Sequence, residues 1–494
     1  MPLTISIIVL AILLFLVAFI LIRTMLYSRA SISALTTDLP APEFDEPVFD
    51  ALEVAKHLSE AVQVKTISHE DPAEDSREYF NLLHQEFEVM YPRVHQAMHK
   101  EVVGDYSLIF TWPGSNPDLD AVLFTSHQDV VPADPDTLDQ WTHPPFSGEI
   151  VDGFIWGRGT LDIKSQVIAI LEAAEALLAG GYTPERTIIL AFGHDEEVLG
   201  VGAKKIVAHL QEKGVRLQAL LDEGGTIYDG GIPGISGLAA LVGTGEKGYL
   251  SLKFTVQLEG GHSSTPSAES AIGILSQAIT RLEAHRFPPS LDTAKLMFQG
   301  LAPASPFMMQ LAFANLWLFK GLVIRQLSAN VETDAAIRTT TAPTIFHSGV
   351  KDNILPAKAE AVVNFRLLPG MTIAQACDHV RNVINDERVH FEPLRGNAWE
   401  ASPVSPSDFP AYRELTAAIT SFFPGTVVAP FVTLGGTDAR NYYGICDNVY
   451  RFTPVISQPE DLKRVHGVDE RISVDALATM VKFFHQLMLR WSSK

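Results

Sequence analysis

The chain has 494 residues, 47% of them hydrophobic and 19% charged, enough for a large core and too apolar for a disordered or collagen-like polymer. With 37 Lys+Arg against 58 Asp+Glu its net charge is −21, which excludes non-specific nucleic-acid binding and suits a site that takes divalent cations. Two cysteines, Cys377 and Cys446, exclude a disulfide scaffold or a Cys-rich zinc module and read as buried free thiols. The run Leu3–Ile22 carries no charge and is about as long as a helix needs to cross a hydrocarbon core. No Lys or Arg precedes it, whereas Arg23 and Arg29 follow, so residues 1–23 read as an uncleaved, single-pass membrane anchor rather than a signal peptide. Two arginines bias the orientation too weakly to fix the side of the membrane. Residues 24–46, with Pro40 and Pro42, read as a linker.

Short apolar runs then alternate with longer amphipathic ones, the pattern of a mainly parallel α/β sheet. The segment 121–127 reads as a strand, 165–181 as a helix closed by Gly180 and Gly181, and 187–192 and 219–222 as further strands. The segment 249–258 alternates apolar and polar residues, a helix follows near 267–285, and 360–368 alternates again. These features predict a catalytic domain in two parts, 47–242 and 366–494, interrupted by an inserted α+β domain at 243–365. Within the insert, 306–327 is long and apolar but broken by Lys320 and Arg325, and reads as part of an enlarged lid rather than a second span.

Acids and histidines gather at the predicted strand ends. His127 ends the first strand and Asp129 follows it; Asp162 stands in WGRGTLDIKS; Glu196 and Glu197 follow the second; Asp222 and Glu223 end the third; His466 lies near the C-terminus. In an open α/β sheet, functional groups collect beyond the carboxyl ends of strands. Singly, each has an ordinary explanation: a surface His, a solvated acidic pair, Asp162 as a helix cap. Together, uncompensated carboxylates and imidazoles point to zinc, cobalt or manganese. His-x-Asp puts both side chains on one strand face, so His127 can ligate while Asp129 orients its other ring nitrogen. Of an adjacent Glu pair, one can ligate while the other stays free as a general base.

The segments SHQDVVP, GRGTLDIK, DEE, LDEGG, GGHSSTP and HG, in this order, resemble the co-catalytic di-zinc exopeptidases and amidohydrolases, the family of glutamate carboxypeptidase, carboxypeptidase S, aminoacylase and succinyl-diaminopimelate desuccinylase. The likeness covers roughly 47–490. It implies a di-metal hydrolase domain with an inserted lid and dimerisation domain. It implies that His127 and Asp222 bind one metal, Glu197 and His466 the other, and that Asp162 bridges them and precedes a cis peptide. Glu223 competes with Asp222 for its role. The resemblance makes Glu196 the general base, Asp129 the partner of His127, and His262 the oxyanion donor, often supplied by the second subunit of a homodimer. Asn353, Arg366, Gly435, Gly436, Thr437 and Arg440 match substrate-contacting positions. Arg440 would hold a substrate carboxylate through its planar fork.

The implied activity is hydrolysis of the amide bond of an N-acyl amino acid, or of a short peptide with a free C-terminal carboxylate, by a water between two divalent ions. The N-terminal anchor and enlarged insert look most like the carboxypeptidase S and N-fatty-acyl amino acid hydrolase branch, which favours apolar acyl groups. Two other readings are a catalytically silent, membrane-tethered binding protein on the same fold and a zinc aminopeptidase. Suitable residues at every ligand position weigh against the first, and GGHSSTP weighs against the second.

Overall fold

The computed structural model describes residues 2–35, 46–69 and 76–493. Helix α1 (Pro2–Leu35) is exposed over most of its length, and Thr4–Arg29 is long and apolar enough to cross a membrane. It continues through the first half of the predicted linker; residues 36–45 lie outside the described part. Helix α2 (Ala51–Gln63) opens on an Asp50 cap, whose carboxylate accepts from the Leu52 amide.

The catalytic sheet is built from β1 (His99–Val103), β2 (Ser107–Trp112), β3 (Ala121–His127), β4 (Ile188–Gly193) and β5 (Leu217–Asp222), with helix α3 (Lys164–Ala179) crossing between β3 and β4. The chain adds β6 (Thr226–Asp229) and β7 (Leu238–Glu246), and returns much later with β14 (Val427–Thr433), β15 (Val449–Arg451) and β16 (Ile456–Ser457). The order is β1-β2-β4-β3-β5-β15-β7-β6-β16, with β14 beside β7. β4, β3, β5 and β15 run parallel, but β1–β2, β2–β4, β15–β7 and β7–β6 are antiparallel, so the sheet is mixed rather than mainly parallel.

Alternation along β3 feeds two cores. Val122 and Phe124 pack with α3 and the C-terminal helix, while Ala121 and Leu123 pack on the opposite face with Ile206, Leu210 and Tyr442. With apolar layers on both faces, only the carboxyl edge is left for polar groups, and there β3 ends at His127 and β5 at Asp222.

Between β7 and β14 lies a second unit. Its strands β8 (Gly248–Gln257), β10 (Thr340–Ser348), β12 (Lys358–Leu367) and β13 (Val389–Trp399) form an antiparallel sheet in the order β10-β12-β8-β13, and β9 (Gly261–His262) pairs separately with β11 (Ile354–Leu355). Helices α4 (Ala271–Ala284) and α8 (Ile373–Ile384) cover one face. Helices α5 (Ala294–Leu301), α6 (Phe307–Ala314) and α7 (Leu316–Leu327) form an annex, and α5 packs back on β14 of the catalytic sheet. The segment 306–327 is therefore two helices, bent by 120°.

The insert boundaries differ from the expectation of 243–365. Residues 243–246 belong to β7 of the catalytic sheet, and α8 and β13 belong to the insert, because β13 pairs with β8. The second unit thus runs from Gly248 to Trp399, and the second catalytic part opens after it, with helix α9 (Pro410–Phe422) and, at its end, α10 (Val474–Ser492). Cys446 is buried and Cys377 half-buried, both free.

Candidate metal centre and active site

Five of the predicted side chains converge at the carboxyl edge. His127 is 1% exposed; its Nδ1–H donates to the Asp129 carbonyl at 3.0 Å. That bond leaves the Nε2 lone pair facing Asp162 Oδ1 at 3.2 Å and Glu223 Oε1 at 3.3 Å. Asp162 reaches the other way through Oδ2 to His466 Nε2, 3.0 Å away, which also stands 3.1 Å from Glu197 Oε2. Asp162 thus sits between two imidazoles, each with a further carboxylate at its side.

Loops set these positions. Gly159 (φ +92°) permits the turn before Asp162; a Cβ there would stand 2.8 Å from Val130 Cγ1. The Asp162–Ile163 peptide is cis. His466 takes a positive φ of 59°, a sparsely populated conformation held by the surrounding fold.

Asp129 acts on more than His127. Its carboxylate accepts from Ser68 Oγ at 2.7 Å, and from the amides of Glu196 and Glu197 at 3.2 and 3.1 Å. It therefore fixes the two glutamates as well as the imidazole. Glu196 is buried beside His127 and Glu223. Burial, reinforced by Glu223, Asp438 and Asp129 and opposed by His127, raises its carboxyl well above the usual carboxylate range. Burial pushes Glu223 up to about 7. For His127 burial favours the neutral ring, but Glu223, Asp129 and Asp162 outweigh it and raise its pKa. Hydrogen bonds to Asp162 and Glu197 carry His466 up to about 10.

The expectation for Asp222 is corrected. Its Oδ2 accepts from the Ala439 amide at 2.8 Å, and it is Glu223 that faces His127. Strand β5 ends at Asp222. Side-chain alternation then sends 222 and 223 to different sides, and the one turned to the cluster lies just past the strand.

A cation fits this set. His127, Asp162 and Glu197 each offer one ligand atom, all within 4.8 Å of one another, as do His127, Glu196 and Glu223. Glu197 Oε1 is buried without a hydrogen-bond partner. Buried carboxylate oxygens crowded on imidazole lone pairs are costly unless a cation satisfies them. Nitrogen and carboxylate donors suit zinc, cobalt or manganese.

Two residues outside the expected set support the centre. Glu470 is fully buried; Oε1 accepts from the amides of Gly159, Leu161 and Asp162 at 2.9, 2.8 and 3.1 Å, and Oε2 from Arg158 Nη1 at 2.5 Å. It holds the whole turn that carries Asp162. Asp438, in the GGTDAR segment, is buried with Oδ2 unpartnered, and burial raises it to about 8.

The other expected residues form two groups. Arg366 lies 4.4 Å over the Tyr249 ring, Tyr249 stacks on Trp399 at 4.6 Å, and Arg440 lies 4.9 Å over Trp399. Arg440 Nη1 also donates to the Thr437 carbonyl at 2.5 Å, and Thr437 bonds Glu246. Gly436 adjoins Arg440 and Trp399, whereas Gly435 faces open space. Arg366, Gly436, Thr437 and Arg440 thus meet where the two units join. His262 and Asn353 are together elsewhere, in the β9–β11 ribbon, where the Ser263 amide donates to Asn353 O. Both are exposed, and His262 Nδ1 lies 2.8 Å from Ser264 Oγ. The single chain does not bring this ribbon into contact with the carboxylate cluster among the described residues.

Beside the cluster opens a cleft of about 810 Å³, including its solvent-open mouth. Asp162 and Glu223 line it together with Leu161, Tyr228, Val455 and Leu462.

The peptidase family M20/M25/M40 model matches residues 123–490. The chain belongs to this family. It is 40% identical over 442 residues to the probable carboxypeptidase S-like 2 of Dictyostelium discoideum, covering 88% of this chain and 85% of that one. It is 42% identical over 439 residues to the human N-fatty-acyl-amino acid synthase/hydrolase PM20D1, covering 87% and 86%. Among solved structures, an M20 family metallo-carboxypeptidase from Sulfolobus solfataricus superposes with a TM-score of 0.66 at 17% identity, over 90% of this chain and all of that one. This M20 chain is therefore a hydrolytic enzyme with an α/β fold and a mixed sheet, on the carboxypeptidase S and N-fatty-acyl amino acid hydrolase branch.

Proposed function

We propose that this M20 enzyme is a membrane-anchored amidohydrolase. It removes an apolar acyl group from an N-acyl amino acid, or the last residue from a short peptide with a free carboxylate. The observation that carries this reading is Asp162 standing between His127 and His466, with Glu223 and Glu197 at their sides. His127 and Glu223 would hold one divalent ion, His466 and Glu197 a second, with Asp162 shared. Zinc fits best, with cobalt and manganese accepted by the same donors. When bound, such ions polarise an amide carbonyl and acidify a nearby water.

The chain's own groups do the rest. Glu196, buried and held through its amide by Asp129, accepts a proton from the attacking water and returns it to the leaving amine. Arg440, with Arg366 across the aromatic pair, faces the carboxylate of the leaving amino acid. The apolar lining of the cleft receives the acyl chain, and Asp162 and Glu223 in the same lining put the scissile bond beside Glu196. His262, exposed on its ribbon, would donate to the oxyanion of a second copy's site in a homodimer. The relatives named synthase/hydrolase carry both directions of the reaction in their name; condensation would use the same groups in reverse.

The test is metal analysis of the purified chain with a panel of N-acyl amino acids of increasing chain length. Long-chain substrates should be preferred to acetyl and succinyl ones, and chelators should abolish turnover. Glu196→Ala should keep the metal and lose about 10²–10⁴-fold in kcat. A metal-free, chelator-insensitive enzyme, or near-normal turnover in the variant, would reject the reading.

A further inference from the structure

Helix α1 is seated on the insert by specific polar contacts. Thr24 is 1% exposed; its hydroxyl donates to Ile20 O at 2.8 Å and accepts from Asn315 Nδ2 at 3.1 Å. Asn315, fully buried at the bend between α6 and α7, also donates to Leu311 O at 3.0 Å. Arg23 Nη2 donates to Ala314 O at 3.2 Å, at the end of α6, and Ser28 Oγ donates to Gln310 Oε1 at 2.6 Å. Phe19 meets the Trp317 ring edge-on at 6.3 Å. A buried Thr–Asn pair made by residues 291 apart is a matched seam. A leader that is cut off has no use for one.

On the same annex, Phe307, Met308, Trp317, Leu318 and Leu322 are exposed, Met308 by 70% and Leu322 by 60%. From Thr293 to Val331 the chain carries Lys295, Lys320 and Arg325 and no acidic residue, within a protein of net charge −21. Exposed Trp and Leu interspersed with cations, beside an apolar helix, suit the boundary of an anionic bilayer. Helices of 8 and 12 residues are about 12 and 18 Å long and too short to cross one.

We propose that the α6–α7 hairpin is a second membrane contact. It lies in the headgroup–acyl boundary of the bilayer that α1 spans, with Trp317, Leu318 and Leu322 among the acyl chains and Lys320 and Arg325 at the headgroups. The proposal rests on α1 being a retained anchor. It has a consequence for access to the cleft: Tyr228, on the cleft wall, precedes the loop whose Ile232 and Ile235 pack with Leu301 of α5. The membrane-facing annex therefore adjoins the wall of the cleft, which suits substrates that partition into lipid.

The full-length chain is reconstituted in phosphatidylcholine–phosphatidylserine vesicles whose acyl chains are brominated, and tryptophan fluorescence is read. The wild type should show a quenched component that is lost in Trp317→Phe and kept in Trp399→Phe. The pair Leu318→Glu and Leu322→Glu should also lose it, while alkaline carbonate still leaves the chain in the membrane fraction. If carbonate extracts the wild type, the anchor reading and this proposal fall together. If the wild type is retained but its quenching is unchanged by Trp317→Phe, the hairpin is covered by something other than lipid, a second copy included, and the proposal alone falls. Hydrolysis of a soluble short-chain substrate, read on the same vesicles, reports separately on the proposed activity.

Discussion

The catalytic sheet and the sheet of the insert treat charge in opposite ways. At the carboxyl edge of the first, Asp129, Arg158, Glu196, Glu246, Arg451 and Glu470 are all buried, and most of their polar atoms are spoken for by amides or by each other. In the second, Leu252, Phe254, Val363 and Phe365 fill the core, and charge stays at the rim, where Lys253 and Lys358 both meet Glu360. The segments flanking the annex are intermediate, with Asp334 buried between Arg286 and Arg338. Burying ions costs free energy that apolar packing does not. A fold that buries many in one place, while its neighbour buries almost none, has spent stability there on a fixed electrostatic geometry.

The largest effect separating the two regions should come from Glu470→Gln against Glu360→Gln. The first leaves Arg158 buried without its anionic partner and frees the Asp162 turn, and removing one member of a buried pair costs about 3–5 kcal/mol. Metal affinity should fall with it. Glu360→Gln, at a half-buried rim position paired only with solvent-accessible lysines, should leave the thermal midpoint nearly unchanged. Equal midpoints for the two variants would erase the distinction.

Leu252→Ala turns the comparison around. A fully buried leucine cut to alanine costs about 2–5 kcal/mol, so stability should drop by an amount similar to Glu470→Gln. Metal content and kcat at low temperature should stay near wild type, because no group at the centre moves. Loss of metal in Leu252→Ala would mean that the insert helps to shape the centre.

Acid should act on the catalytic part through His84, which is buried and bonded to Gln128, the residue next to His127. Burial lowers its pKa to about 4 from an ordinary value near 6.5. The unfolded chain therefore binds a proton that the folded chain refuses. Stability is unaffected above about pH 6.5 and falls as the pH drops toward 4, by about 3 kcal/mol at most. His84→Leu should flatten that part of the pH–midpoint curve; an unchanged slope would assign acid sensitivity to other groups.

How far the sequence could be read follows the same division. Strand β3 and helix α3 were legible because buried runs and glycine stops are local signals, and His127, Asp162, Glu196, Glu197 and His466 stand in short motifs at strand or turn ends. Asp222 and Glu223 both adjoin the strand end, and the sequence does not separate them: the ligand is whichever side chain turns toward the cluster once β5 stops. Glu470 lay in plain view four residues after His466, but its partner Arg158 is 312 residues away, and nothing local marks the pair. The end of the insert carries no local signal, because β13 joins its sheet only through pairing with β8, more than a hundred residues earlier.

The smallest effect concerns the seam where the two regions touch. Tyr249, Arg366 and Trp399 belong to the second sheet and Arg440 to the catalytic part, so the column of two rings between two guanidinium groups is a bridge across the seam. A cation over an aromatic face contributes about 0.5–2 kcal/mol. Trp399→Leu combined with Arg440→Gln in a double-mutant cycle should give a coupling near 1 kcal/mol in the thermal stability of the intact chain. Alone, Trp399→Leu removes the surface on which Arg440 lies, but leaves its bond to Thr437 O. KM for carboxylate-bearing substrates should then rise about five-fold, with kcat nearly unchanged, since about 1 kcal/mol of ground-state positioning is lost and the proton-transfer groups keep their places. A fall in kcat at constant KM would show that the column carries strain into the centre instead of holding the substrate's carboxylate partner.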